Sequence, residues 1–100
     1  LYIQYVLTYN MFEWDEAKNR RNIEKHGISF ATASRIFEGP ILSATDTRQD
    51  YGETRQLNLG RIDGRVVLLV VHTDRAGKIR IISARRANYR ERQAYENAFR

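Results

Sequence analysis

Arg85 and Arg86 stand side by side in GKIRIISARRANYRERQAY (residues 77–95), and Arg90 and Arg92 follow within two helical turns. Adjacent like charges repel unless an anion or water lies between them. Of the 17 cationic residues, 14 are arginine and only Lys18, Lys25 and Lys78 are lysine. The planar guanidinium fork binds phosphate in bidentate fashion, where an ammonium offers a point charge. Together with a net charge of +5 and a pI near 9.9, this suits a polyanion as ligand; a solvated basic surface is the plainer reading of composition alone. Two histidines and no cysteine leave no disulfide and no zinc site to build, so neither metal nor cofactor is expected.

One hundred residues with 42% hydrophobic content make one domain. No apolar run approaches the roughly 18 residues of a membrane helix. Asp15 is an N-cap candidate for the helix EAKNRRNIEKH, which Gly27 ends, and Ser29 caps a second helix, FATASRIFE, that stops at Gly39-Pro40. From Ile41 the pattern turns to strands: ILSATD, TRQLNLGRI, RVVLLVVHT and KIRIISAR. Asn88 and Glu91 form a capping box for a final helix, YRERQAYENAF. The fold class expected is α+β: two N-terminal helices, an antiparallel sheet of about four strands, and a C-terminal helix.

Asp63-Gly64 is a two-residue hairpin signal, and it sets Ile62 opposite Arg65. Pairing back from there puts Leu59 with Leu68, Leu57 with Val70 and Arg55 with His72 on a face covered by helices. Asn58 with Leu69 and Gln56 with Val71 fall on the face left open. If Asp74–Gly77 (DRAG) is a four-residue loop, Arg65 meets Arg86 and Val71 meets Arg80, so the open face gathers Arg65, Arg80, Arg86, Gln56 and Asn58. A slip of one residue substitutes Arg85 for Arg86. Opposed arginines destabilise a bare sheet; a phosphate between them reverses the sign. Other residues have two readings each. Lys25 and His26 either meet the polyanion or act as cations at a helix C-terminus. His72 suits a satisfied structural histidine, Glu53 a salt bridge to Arg55 or Arg80, and Trp14 the core.

Three blocks, FEWDEAKNRRNIEKHGISFATA, DYGETRQLNLGRIDGRVVLLVVHT and IRIISARRANYRERQAYE, resemble in order and spacing the BrnT family, toxins of type II toxin–antitoxin modules. The resemblance runs from Phe12 to about Phe99, nearly the whole chain. It suggests a natural start at Met11, with residues 1–10, uncharged and suited to a short edge strand, as an upstream extension of a single toxin domain over 11–100. It implies a RelE-like fold and a cytoplasmic ribonuclease that inhibits translation. It also implies a BrnA-like antitoxin as partner, with operator DNA met only through that antitoxin. Such enzymes lean on arginine, lysine and tyrosine to cleave RNA without metal. On that pattern Arg65, Arg85, Arg86 and Tyr89 are the catalytic candidates, and Lys25, His26, Gln56, Asn58 and Arg80 the RNA-binding ones. A non-catalytic module that binds RNA or the antitoxin is the alternative.

Overall fold

The computed structural model describes residues 1–4, 11–48 and 50–100. The elements in chain order are β1 (Tyr2–Gln4), β2 (Phe12–Glu13), α1 (Glu16–His26), α2 (Phe30–Ser34) continued by a 3₁₀ segment (Arg35–Glu38), β3 (Ile41–Asp46), β4 (Arg55–Ile62), β5 (Val66–Arg75), β6 (Lys78–Arg86) and α3 (Tyr89–Ala98). They form one six-stranded sheet in the order β1-β3-β4-β5-β6-β2. The four central strands are antiparallel, as expected. The sheet is wider and mixed, however, because β1 adds antiparallel to β3 and β2 adds parallel to β6. The two-residue β2 in FEWD is too short to leave an alternation in the sequence. No helix among the described residues is long and apolar enough to cross a membrane.

Local signals define the helices. The Asp15 carboxylate accepts from the Lys18 amide at 3.1 Å, and Gly27 closes α1 with φ 71°. Ser29 caps α2 through the Thr32 amide. The second expected helix is instead split, tightening from Arg35 into the 3₁₀ segment that ends at Gly39. The reason lies opposite: a Cβ on Gly60 would sit 2.5 Å from the Ile36 Cβ, so this segment packs directly on the β4 backbone. The α3 capping box is complete, with Asn88 and Glu91 exchanging hydrogen bonds of 2.8 Å.

α1 docks in an unusual way. Its buried residues are Asn19 and Asn22, three apart and therefore on one face. Asn22 Nδ2 donates to the carbonyls of Ile28 and Ala84, both at 2.8 Å, and its Oδ1 accepts from the Ala84 amide at 3.2 Å. The amide side chain thus closes the β6 edge where β2 has ended, which a strand edge otherwise leaves open. Asn19 Oδ1 accepts from the Phe30 amide at 2.8 Å and fixes the start of α2. The main core lies between these helices and one face of the sheet: Phe30, Ile36 and Phe37 against Ile41, Leu68, Val70, Ile79, Ile81 and Ala84. Each of these side chains larger than alanine contributes roughly 1.5–3 kcal/mol on burial. A smaller cluster on the opposite face joins Leu42, Leu59 and Val67 to Tyr95 of α3, whose hydroxyl donates to the Pro40 carbonyl at 2.9 Å.

The register departs from the expected one at both hairpins. Asp63 and Gly64 do take positive φ, 53° and 66°, and the Arg65 amide bonds the Ile62 carbonyl. Yet the ladder resumes at Ile62 opposite Val66, leaving Arg65 as an extra turn residue. The next hairpin turns on Ala76 and Gly77 alone, with Arg75 opposite Lys78. A β-bulge between Val71 and His72 then shifts the β5–β6 pairing by one. A one-residue shift exchanges the two faces of a strand. On β5, Leu68, Val70 and His72 face the helices and Leu69 and Val71 the other way, as expected, but on β4 Asn58 is buried on the helix side and Leu57 and Leu59 point the other way.

Candidate nucleic-acid interface

The face opposite the main core is only half covered. α3 lies over its Leu42–Leu59–Val67 end, and the remainder is a shallow concavity of about 380 Å³. Its floor is aliphatic: Leu57 from β4, Leu69 and Val71 from β5, with Ser83 from β6 beside them. Its rim carries Lys25, His26, Arg48, Arg85 and Glu91. Three elements bring these side chains together. α1 delivers Lys25 and His26 from its last turn, held to β6 by Asn22. β6 delivers Arg85 directly opposite Leu69. The segment leaving β3 delivers Arg48 from the far side.

Strand geometry separates the adjacent arginines that the sequence presents. Consecutive side chains point to opposite faces, so Arg85 enters the groove while Arg86, opposite Leu68, is exposed at the end of the helix side. The anion beside Arg85 within the chain is Glu91, whose two oxygens take Nη1 and Nη2 at 2.8 and 2.9 Å. That hydrogen-bonded guanidinium, with the Asn88 amide, holds the Glu91 carboxyl below its usual pKa. On the other rim Arg48 gives Nε and Nη2 to the two oxygens of Asp46, both at 2.9 Å. The Arg48 side chain, followed by its backbone amide, holds the Asp46 carboxyl far below the usual carboxylate range. Each arginine is therefore fixed by a carboxylate on one edge of its fork.

The candidate residues read from the sequence scatter. Lys25, His26 and Arg85 line the groove. Arg65 is exposed in the β4–β5 turn and does not face Arg86. Tyr89 opens α3 and is 67% exposed, with the Arg92 guanidinium carbon 6.0 Å from its ring centroid. Arg80 is half-buried and bonded to Glu13 of β2 at 2.7 Å. Gln56 accepts from the Tyr2 hydroxyl. Asn58 is fully buried: its amide donates to the Val70 carbonyl at 2.9 Å, contacts His72 Nδ1 at 2.8 Å and accepts from Ser43 at 2.8 Å. The β4 part of the expected open face, Gln56 and Asn58, thus lies on the covered side, because the first hairpin turns one residue out of the assumed register. His72 is buried, with burial lowering its pKa and Asp74, 3.4 Å from Nε2, partly opposing that shift. Glu53 does pair with Arg55, at 3.2 Å.

Arg48, Ser83 and the aliphatic floor were not read as site residues. The Asp46-x-Arg48 spacing was the available signal, since alternate residues at a strand end can lie on one face. Among the described residues no group of His, Asp and Glu side chains is placed to hold a metal ion.

Residues 14–91 match the family model described as the ribonuclease toxin, BrnT, of type II toxin–antitoxin system. The chain is also similar to the 1.1 Å crystal structure of the Brucella abortus ribonuclease toxin BrnT, with 26% identity and a TM-score of 0.60, over 79% of this chain and 99% of that one. No curated protein sequence matches.

Proposed function

The chain belongs to the BrnT family, the ribonuclease toxins of type II toxin–antitoxin systems, and on that premise we propose that the groove beside α3 cleaves single-stranded RNA without a metal. The observation that carries this reading is the convergence of Lys25, His26, Arg48 and Arg85 around an aliphatic floor on the part of the sheet α3 leaves bare. Aliphatic side chains make no hydrogen-bonding demand on a base lying over them, while the cations meet its phosphate.

Cleavage needs the ribose 2′-oxygen to attack phosphorus in line, a group to take its proton, cations around the phosphorane, and a proton for the departing 5′-oxygen. The products are a 2′,3′-cyclic phosphate and a free 5′-hydroxyl. Arg85 and Lys25 supply the charge in this scheme. His26 is the proton-transfer group on the rim, since an imidazole can both take and give a proton through its ring nitrogens. Glu91 suits that task poorly: its ion pair with Arg85 lowers its proton affinity, so it serves to orient Arg85. Tyr89 stands exposed at the start of α3, available to stack on a neighbouring base. Arg86 and Arg65, both exposed, track flanking phosphates. Gln56 and Arg80, engaged by Tyr2 and Glu13, and the buried Asn58 have no part in it.

The family implies an antitoxin partner and an RNA substrate. We assign the partner to the BrnA-like class, with operator DNA reached only through it, and the site of action to translation in the cytoplasm. Because Arg48 and Arg85 already hold carboxylates, a second reading is a groove that binds RNA, or an acidic antitoxin segment, without cutting. Incubating antitoxin-free protein with RNA separates the two. Cleavage ends lost in Arg85→Ala support the enzyme, and salt-dependent binding without products supports the binder.

A further inference from the structure

We infer that Asp46 and Tyr51 are positioning residues that hold Arg48 as the second wall of a phosphate clamp, across the groove from Arg85. This rests on the reading of the groove as an RNA site and adds a residue set to it.

Asp46 ends β3 with its side chain only 1% exposed, while the Arg48 side chain it holds is 72% exposed and lines the groove. A buried carboxylate persists only when its oxygens are satisfied, and here they are. Oδ1 accepts from Arg48 Nε at 2.9 Å and from the Arg48 backbone amide at 3.1 Å, and Oδ2 accepts from Arg48 Nη2 at 2.9 Å and from the Tyr51 hydroxyl at 3.1 Å. Tyr51 is itself fixed, for the Arg55 guanidinium stacks 3.8 Å from its ring centroid and Arg55 binds Glu53. A chain of contacts rooted in β4 therefore orients one exposed guanidinium.

The two rims use their arginines in complementary ways. Asp46 takes the Nε–Nη2 edge of Arg48 and leaves the Nη1 side outward. Glu91 takes the Nη1–Nη2 edge of Arg85 and leaves the Nε side. Each guanidinium keeps one donor edge for a phosphate oxygen. β3 and β6 are three sheet spacings apart, roughly 14 Å, and Arg48, two residues past the end of β3, and Arg85 reach one concavity from its two rims. Lysine at 48 would keep the charge but could not bind Asp46 through one edge and present another. The occupant this geometry selects is a backbone phosphate of single-stranded RNA.

The test uses the full chain as wild type, Arg48→Lys, Arg48→Ala and Asp46→Asn. Binding is measured to a short single-stranded RNA with 2′-O-methyl riboses, which cannot attack their own phosphates, across a salt series. Cleavage of the unmodified RNA gives kcat and KM. Arg48→Ala is expected to weaken binding about tenfold and to reduce the slope of log K against log salt by about 0.7, one single-strand phosphate contact. Arg48→Lys should retain that slope while kcat falls, and Asp46→Asn should lower kcat more than it raises KM. Arg48→Ala strips a partner from the buried Asp46, so the fold of each variant is checked by circular dichroism. Arg48→Lys, which keeps a cation beside that carboxylate, decides the matter if the others do not fold: a wild-type kcat would overturn the clamp. An Arg48→Ala protein with wild-type slope, affinity within about twofold and unchanged kcat/KM would reduce the Asp46–Arg48 pair to a loop tie and overturn the clamp. A wild type that neither binds nor cuts RNA would instead overturn the RNA reading of the groove, and the clamp with it.

Discussion

Replacing Asn22 by alanine tests how the helix that bears Lys25 and His26 is fastened to the sheet. The side chain makes three hydrogen bonds to main-chain groups, at 2.8, 2.8 and 3.2 Å, while only 7% exposed. At about 1 kcal/mol net for each, the variant should lose about 3 kcal/mol. A share of the carbonyl capacity can be recovered by water at the sheet edge, which keeps the loss below the full penalty for three orphaned groups. A domain of this size has roughly 5–15 kcal/mol in hand, so the protein still folds. Its melting temperature should fall by about 12–24 °C at 4–8 °C per kcal/mol. Denaturant unfolding monitored by circular dichroism measures this, with Ile23→Ala, one position along and 43% exposed, as a surface control that should stay within about 0.5 kcal/mol. RNA cleavage should drop as well, because the α1 C-terminus supplies part of the groove rim. A loss below about 1 kcal/mol for Asn22→Ala would refute the bridge between α1 and the β6 edge as the fastening.

Gly60→Ala should destabilise by about 1–3 kcal/mol, because the added methyl meets Ile36 at 2.5 Å; a thermal melt at wild-type stability would contradict the direct seating of the 3₁₀ segment on β4. His72 gives the protein a pH signature. Burial lowers its pKa below 6.5, so the unfolded chain binds the extra proton first as pH falls. Its contribution is fully present above about 6.5 and is lost below it, at up to about 1.4 kcal/mol per pH unit. Unfolding free energies from pH 7.5 to 5 should show that slope in wild type and a shallower one in His72→Gln; equal slopes would show that the imidazole is not held neutral.

The elements were legible because each carries a local signature. Asp15, Gly27, Ser29 and the Asn88–Glu91 box mark helix ends through hydrogen bonds made within a few residues. The strands announced themselves as β-branched runs. The faces of the sheet were not legible, since they depend on counting across two hairpins. Arg65 is an extra residue in the first turn, Ala76 adopts a positive φ in the second, and the bulge beside His72 has no sequence mark of its own. The faces of β5 came out as expected, with Leu69 and Val71 on the open side; the extra Arg65 in the first turn reversed β4, moving Asn58 into the core and Leu57 to the open side. The groove was half legible for the same reason: Lys25, His26 and Arg85 lie where local structure puts them, whereas Arg48 joins them only through the long-range order of the strands.

The central claim is that the groove cuts RNA with Arg85 at its reacting phosphate. The most direct measurement is a cell-free translation reaction with antitoxin-free protein, wild type beside Arg85→Ala, in which the 5′ ends of the messenger RNA are mapped by primer extension. The account predicts discrete new ends and loss of protein synthesis with wild type, reduced about 10²–10³-fold in rate by Arg85→Ala as for removal of one charge-stabilising donor. Equal cleavage by both proteins, or intact messenger with wild type, would contradict it.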